Sequence, residues 1–137
     1  MQGEVELPIQ AIPLGKARVV RPGLDITLVA ISYGVGLAEK AAEALRSRAI
    51  SAEVLDLRTI APLDEAAIKE SVAKTGRVAV FDVGWQRFGL AAEVAQVLSA
   101  PLISFGQKWE HTPGGCFREH EHYPIKGEVV EELLRLF

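Results

Sequence analysis

The most reactive side chains of this 137-residue chain lie in one short stretch near its end, where all three histidines accompany the single cysteine. Imidazole and thiolate groups are ligands that zinc prefers, so a zinc site is one hypothesis for this stretch. The spacing, H-x4-C-x3-H-x-H, matches none of the usual structural zinc patterns. We therefore favour a polar surface loop, and the role of the stretch stays open. Its reactive members are His111, Cys116, His120 and His122.

A nucleophilic cysteine–histidine pair from the same residues is disfavoured as well. A cysteine nucleophile needs a base held within hydrogen-bond reach. Cys116 follows two glycines, and no scaffold that would position a base is apparent around it. A single cysteine cannot form an internal disulfide, so we expect a reducing compartment.

Two glycine-containing segments, Ser32–Gly36 and Asp82–Trp85, each follow a predicted strand. Ligands bind at such positions in open α/β sheets. Neither segment is a G-x-G-x-x-G fingerprint or a phosphate-binding P-loop, and glycine is the usual residue wherever the backbone turns tightly. We therefore interpret these glycines as turn residues. A receiver-type phosphorylation site is excluded, because Ala30, Ile31 and Ser32 end the first long strand without an acidic residue.

Charged and aromatic residues near the same strand ends give further hypotheses. Arg58 and Asp82 could form an ion pair, for which we favour a structural role over a catalytic one. Trp85 and Trp109 could cover a ligand or an interface, but packing is the commoner role of such aromatics. No nucleophile, base and oxyanion donor converge. From the residues alone we assign no catalytic, cofactor-binding or metal-binding residue.

Composition limits the class of protein. With 49 % hydrophobic and 24 % charged residues, the chain fits one globular domain. The net charge of −3 argues against nucleic acid and anionic membranes as partners. Apolar runs such as Ile26–Ile31 are far shorter than the roughly 20 residues that span a bilayer, and residues 1–20 lack the order of a signal peptide. We expect a cytoplasmic protein.

Strand and helix patterns alternate along the chain. Residues 1–16 contain prolines and glycines without a steady period and indicate an extended lead-in, whereas residues 106–126 indicate a loop. The alternation predicts a parallel sheet with helices on both faces. Strands are predicted at residues 17–20, 26–31, 52–57, 77–82 and 101–105, and helices from Leu37 to Leu45 and at residues 64–75, 88–98 and 128–136.

The segment Asp56–Asp64, DLRTIAPLD, connects a predicted strand to a predicted helix. Pro62 biases the preceding residue towards extended backbone, so the helix cannot begin earlier. Asp64 is suited to cap the helix start, and Gly76 to end it. Such crossings lie at the sheet edge where α/β proteins bind ligands.

Four blocks of the chain resemble a known family in their order and spacing. They are Pro13–Val20, Asp25–Gly34, Glu53–Asp64 and Lys74 through Ala95. Over about residues 13–137 the chain resembles the carboxyl-terminal domain of transketolase-like thiamine enzymes, most of all the beta subunit of the first component of 2-oxoacid dehydrogenase complexes. The resemblance implies a three-layer, doubly wound α/β fold of about five strands, mostly parallel with one antiparallel edge strand near Ala17–Val20.

The resemblance also implies a domain division and the place of the cofactor. Residues 1–16 look like a linker remnant that follows a thiamine-binding domain, and residues 17–137 like the transketolase-type carboxyl-terminal domain. In the family, thiamine diphosphate and magnesium are held between the two preceding domains. We therefore transfer no catalytic, cofactor-binding or metal-binding residue, and expect that this chain binds no cofactor. The segment Asp56–Asp64 then becomes a structural signature, with Arg58 a candidate for a subunit boundary.

The expected function is a non-catalytic assembly domain of a thiamine diphosphate-dependent 2-oxoacid dehydrogenase. The implied partners are an alpha subunit or the missing thiamine-binding domains, a second copy of this chain, and the acyltransferase core component. The alternatives are the equivalent domain of a transketolase or a deoxyxylulose-phosphate synthase, and a stand-alone module that binds a small anion near Gly34 and Gly84. Val83 and Arg87–Leu90 depart from the family pattern, which leaves open whether the acyl substrate is pyruvate, a branched-chain 2-oxo acid or acetoin.

Overall fold

A computed structural model describes residues 11–107 and 126–137. One five-stranded sheet has the strand order β1-β3-β2-β4-β5. β1 runs antiparallel to β3, and the other neighbouring strands are parallel. The predicted fold class is confirmed. The elements are β1 (Arg18–Arg21), β2 (Ile26–Ala30), α1 (Tyr33–Arg46), β3 (Ala52–Asp56), α2 (Glu65–Thr75), β4 (Val78–Trp85), α3 (Leu90–Leu98), β5 (Ile103–Gln107) and α4 (Lys126–Leu134).

The sheet separates two hydrophobic cores. α1 and α4 cover one face through Ala38, Leu45 and Leu133. α2 and α3 cover the other through Ile68 and Val94. β2 lies at the centre, and all five of its residues are buried, because an almost uninterrupted apolar strand can be covered on both faces. Within the described residues, no helix combines the length and apolarity that crossing a bilayer requires.

The ends of α2 agree with the sequence prediction. The Asp64 carboxylate accepts a hydrogen bond from the Ala67 amide at 3.3 Å. Gly76 ends the helix at φ 73°, in the left-handed region that favours glycine. Its amide donates to the Val72 carbonyl at 2.8 Å.

Three predicted boundaries are wrong for identifiable reasons. β4 continues beyond residue 82 because Trp85 still pairs with Gln107 of β5. That same pairing makes β5 end later than predicted. α3 begins at Leu90 because Phe88 has φ 60° and Gly89 is extended, so neither belongs to a helix.

The interpretation of Gly34 and Gly36 as turn residues is also wrong, since both lie inside α1. The turn before this helix is made by Ser32, at φ 53°. A Cβ atom on Gly34 would lie 2.6 Å from the Phe81 carbonyl oxygen, whereas one on Gly36 would meet nothing within 4 Å. Gly34 is therefore required for close packing of α1 on β4.

The antiparallel edge strand β1 is short and irregular. Its register against β3 shifts between Val19 and Arg21. Arg21 turns away to form an ion pair with Glu43 of α1 at 3.0 Å. Because β1 begins beside Asp56, the last residue of β3, the segment before β1 lies at the carboxyl edge of the parallel strands.

Candidate functional site

Three of the five described non-glycine residues with left-handed φ lie at the carboxyl edge of the sheet, and the other two, Ala49 and Ser99, precede β3 and β5. Ser32, Arg58 and Phe88 follow β2, β3 and β4 respectively, and have φ values of 53°, 59° and 60°. Side chains other than glycine rarely adopt these angles, since Cβ then approaches a carbonyl oxygen. Such residues often mark functional sites. We therefore take this edge as the candidate site.

The loop from β4 to α3 is held in place by Asp82. One carboxylate oxygen accepts from the Gly84 amide at 3.0 Å, and the other accepts from the Leu90 amide at 3.2 Å. A single side chain thus ties together both ends of the loop. The predicted ion pair between Arg58 and Asp82 is not formed.

The same loop is bound to its surroundings at two further points. A Cβ atom on Gly89 would lie 2.3 Å from the Trp85 carbonyl oxygen, so no larger residue fits without movement. Gln86 is hydrogen bonded to β5, with its amide donating to Gln107 at 2.9 Å and its side chain donating to Ser104 at 2.7 Å. The loop therefore presents its remaining side chains from a fixed frame.

Several large apolar side chains are exposed at this edge. Phe88 is 92 % exposed and Trp85 is 41 % exposed. Ile60, on the loop after β3, and Leu14, on the segment before β1, are also exposed. We define the carboxyl rim as Leu14, Arg58, Ile60, Trp85, Arg87 and Phe88.

The segment before β1 is attached directly to the loop after β3. The Gly15 amide donates to the Thr59 hydroxyl at 3.0 Å. The Ala17 amide donates to the Asp64 carboxylate at 3.1 Å. Leu14 therefore lies on the same part of the edge as Ile60.

Carboxylates near the rim are occupied by backbone amides. Asp56 accepts from the Arg58 amide at 3.0 Å, and Asp82 accepts from the two amides named above. Asp64 accepts from Ala17 and Ala67, and the Ala17 hydrogen bond is the largest cause that lowers its pKa. In contrast, neither Arg58 nor Arg87 forms an ion pair within the described part of the chain. The edge therefore carries both arginines and ionised carboxylates, without an ion pair between Arg58 or Arg87 and any described carboxylate.

The geometry at Gly34 and Gly84 accounts for these glycines by packing. Gly34 allows α1 to approach the Phe81 carbonyl, and a Cβ atom on Gly84 would lie 3.3 Å from the Asp82 carboxylate. Both glycines are thus explained without a bound anion.

A buried polar network lies on the α2 face of the sheet, and the sequence analysis missed it. Glu53 of β3 is 1 % exposed and is bonded to Lys74 and Ser71 of α2. Thr27 of β2 joins the network through Ser71 and Thr75, each at 2.8 Å. Two features of the sequence could have indicated the network: a glutamate, Glu53, inside an apolar strand, and polar residues on one side of the facing helix α2. The network joins β2, β3 and α2.

Other hypotheses from the sequence lie outside the described residues. These are the possible zinc ligands His111, Cys116, His120 and His122, and the aromatic Trp109. Among the described residues, no three His, Cys, Asp or Glu side chains come together in a group that could hold a metal ion.

The five-stranded mixed sheet with helices on both faces and an antiparallel edge strand defines an open, doubly wound α/β domain. Residues 15–133 match the family model of the transketolase carboxyl-terminal domain. The chain belongs to this family, and the resemblance stated from the sequence is confirmed.

Similar proteins include the beta subunits of two oxidoreductases. The beta subunit of acetoin:2,6-dichlorophenolindophenol oxidoreductase from Bacillus subtilis is 36 % identical over an alignment 144 positions long, which covers 99 % of this chain and 42 % of that protein. The mitochondrial pyruvate dehydrogenase E1 component subunit beta of Rattus norvegicus is 42 % identical over 107 residues, covering 73 % of this chain and 30 % of that protein. This chain thus spans less than half the length of either relative.

A solved structure has a domain of the same fold. A split-gene transketolase, described as an inactive β4 tetramer, superposes with a TM-score of 0.79 at 27 % identity. The superposition covers 97 % of this chain and 45 % of that one.

Proposed function

We propose that this chain is the non-catalytic, assembly-forming domain of the beta subunit of a thiamine diphosphate-dependent 2-oxoacid dehydrogenase. The whole enzyme would decarboxylate a 2-oxo acid oxidatively and transfer the acyl group to lipoyl groups. The supporting observation is the alignment of 99 % of this chain with the B. subtilis subunit beta. The family match from Gly15 onward supports a division into a linker remnant, residues 1–16, and the domain, residues 17–137.

We propose that the described residues hold neither thiamine diphosphate nor magnesium. No group of three potential ligand side chains comes together in this part of the chain. Asp56, Asp64 and Asp82 bind backbone amides. We therefore assign the cofactor and the metal to the other domains of the enzyme and derive no catalytic step from these residues.

The partners follow from the same proposal. An alpha subunit or separate thiamine-binding domains would complete the enzyme, and the acyltransferase core component would accept the product. A second copy of this chain is supported by the relative that forms a β4 tetramer. We propose the cytoplasm as the compartment, on the basis of the single cysteine.

A transketolase is the second candidate, because the split-gene transketolase matches 97 % of this chain. The two candidates differ in the enzyme to which the domain belongs and not in its fold. A replacement experiment tests the first candidate.

The test replaces the carboxyl-terminal domain of the B. subtilis acetoin oxidoreductase subunit beta with this chain. We expect the chimera to assemble with its remaining subunits and to support acetoin-dependent reduction of dichlorophenolindophenol. A subunit truncated before that domain is the negative control. Assembly and activity no better than those of the truncated subunit would contradict the proposal.

The non-catalytic role has a separate test. Calorimetric titration of the isolated chain with thiamine diphosphate and magnesium should show no binding. Binding at micromolar concentration would contradict this part of the proposal. A thermal shift with inorganic phosphate that is abolished by a bulky residue at Gly34 would instead support the small-anion module, since a ligand stabilises the state that it binds.

A further inference from the structure

We propose that residues 126–137, which contain α4, form a strap that opens independently of the rest of the domain, and that Arg77 is the latch that holds it closed. This inference is independent of the proposed function, because it concerns a conformational change within this chain. Three observations carry it: α4 is a weak helix with few neighbours, Arg77 binds the residues that follow α4, and the backbone of Arg77 is fixed to the sheet.

The sequence of α4 gives this helix little stability of its own. It has nine residues, whereas isolated helices shorter than about 12–15 residues are marginal in water. One glycine and two valines lower its helix propensity. Glu131 and Glu132 lie in its second half, where carboxylates interact unfavourably with the helix dipole, and its last turn contains no basic residue. α4 therefore depends on contacts with other elements.

These contacts come from few places in the described part of the chain. α4 packs extensively against one element, α1, whereas α1, α2 and α3 each pack against at least two. Val129 and Leu133 are buried, and Leu134 and Leu136 are partly buried against the same core. When the strap opens, these apolar side chains and the surface of α1 beneath them become accessible to solvent.

Arg77, just before β4, supplies the basic group that the last turn of α4 lacks. Its Nε atom donates to the Leu136 carbonyl at 2.9 Å, and its guanidinium carbon lies 4.4 Å from the centre of the Phe137 ring. An arginine at the end of a helix satisfies free carbonyls and interacts favourably with the dipole. A cation over an aromatic ring adds electrostatic attraction. One side chain thus holds both Leu136 and Phe137.

The backbone of Arg77 is fixed to the centre of the sheet. Its carbonyl accepts from the Thr27 amide at 2.9 Å and from the Thr75 hydroxyl at 3.1 Å. A second guanidinium nitrogen donates to the Asp25 carbonyl at 3.4 Å. The latch therefore remains with the sheet when the strap moves.

Independent opening is tested by hydrogen exchange of the whole chain, measured by mass spectrometry. In the wild type, the strap should exchange faster than β2, because it exchanges through local opening. Ile68→Val weakens the opposite core, so β2 should exchange about 2- to 10-fold faster in this variant. The strap should keep its wild-type rate, because its opening leaves the opposite core intact. An equal increase in the strap and in β2 would mean that the strap opens only with the whole domain, which overturns the inference.

The latch is tested by Arg77→Met, with Arg48→Met as its control. Both arginines are exposed, and both variants replace a charged side chain by an uncharged unbranched one. We expect the strap to exchange about 3- to 10-fold faster in Arg77→Met, because a hydrogen bond and a cation–π contact are lost. Arg48→Met should exchange like the wild type. A wild-type rate in Arg77→Met, or an equal increase in both variants, would show that Arg77 is not the latch.

Two further variants separate the parts of the latch. Phe137→Leu removes the aromatic ring, and we expect the strap to exchange about twofold faster. Combined with Arg77→Met, it should raise the rate by less than the product of the two single effects, because the two residues contact each other. A full product would contradict that contact. Arg77→Lys keeps the charge without the planar fork, so its rate should lie between those of the wild type and Arg77→Met.

Phe137→Leu also keeps the inference testable if Arg77→Met fails to fold. Phe137 is 50 % exposed, so its replacement by another apolar side chain should leave the domain folded. Strap exchange that is unchanged in both Phe137→Leu and Arg77→Lys would then overturn the latch.

Discussion

Gly34 and Gly36 are two residues apart in the first turns of α1, yet they meet different surroundings. A Cβ atom at Gly34 would approach the Phe81 carbonyl oxygen to 2.6 Å, and one at Gly36 would enter open space. We predict that Gly34→Ala destabilises the domain by about 1–3 kcal/mol through overpacking. Gly36→Ala should stabilise it by up to about 1 kcal/mol, because alanine favours helix.

Urea denaturation of these two variants measures the difference. Each variant serves as the control for the other, since both add one methyl group to the same helix. Equal effects would show that α1 does not approach β4 as closely as described.

The charge of Asp64 should make the stability of the fold depend on pH. The backbone amides of Ala17 and Ala67 donate to its carboxylate and lower its pKa. A lowered pKa in the folded state means that the charged form contributes stability above the unfolded value of about 3.9, and that this contribution is lost as the pH falls through the folded value. We predict that Asp64→Asn is less stable than the wild type by roughly 1 kcal/mol at pH 7.

The deficit of Asp64→Asn should shrink as the pH falls from 7 towards 3, because the Asp64 charge contributes less to stability once the pH is below the unfolded value of about 3.9. Urea denaturation at the two pH values provides the test. Glu70→Gln, at an exposed position on the same helix, is the control. A deficit that stays constant with pH would contradict the role given to the Asp64 charge.

At the level of elements, the network between β2, β3 and α2 depends on Lys74. Glu53 is 1 % exposed and Lys74 is 43 % exposed. Removing the lysine leaves a buried carboxylate without its counter-charge, which costs several kcal/mol in fully buried pairs. Because Lys74 is partly in solvent, we predict that Lys74→Ala lowers the free energy of unfolding by about 1–3 kcal/mol.

Lys69→Ala is the matched control for this prediction. Lys69 lies on the same helix and pairs with Glu65 at 3.0 Å, with both side chains exposed. Its removal should cost about 0.5 kcal/mol or less. If chemical denaturation finds equal effects for the two alanine variants, the buried pair does not stabilise α2 on the sheet.

The elements that the sequence predicted correctly carry local signals. The apolar pattern of β2 and the cap residues Asp64 and Gly76 specify their own conformations, whatever lies next to them. Phe88 carries no such signal. Its loop is held by bonds that other residues make, since Asp82 accepts from the Leu90 amide and the Gln86 side chain donates to Ser104. The need for glycine at position 34 likewise arises from β4, a strand far along the chain, whose Phe81 carbonyl lies against α1. The sequence therefore pointed to the edge itself, with Arg58 and Trp85, but placed Phe88 in a helix and missed its exposed position.

At the scale of the whole molecule, stability should be greatest at the centre of the sheet. β2 is paired on both sides and buried on both faces. We predict that its amides exchange with solvent only through global unfolding, whereas those of β1 exchange through local opening. Hydrogen exchange measured by mass spectrometry checks this order, and equal rates in the two strands would contradict it.

The irregular edge strand β1 has a further consequence, for how readily such a domain can be rearranged. Exposed regular strand edges recruit strands from other molecules, and bulges and charged side chains prevent this. β1 has a register shift between Val19 and Arg21 and an arginine at each end. An irregular, charged edge strand of this kind is a poor template for strands of other molecules. The domain can therefore be fused to different neighbours, or be made as a separate polypeptide, without the β1 edge promoting fibrous aggregation.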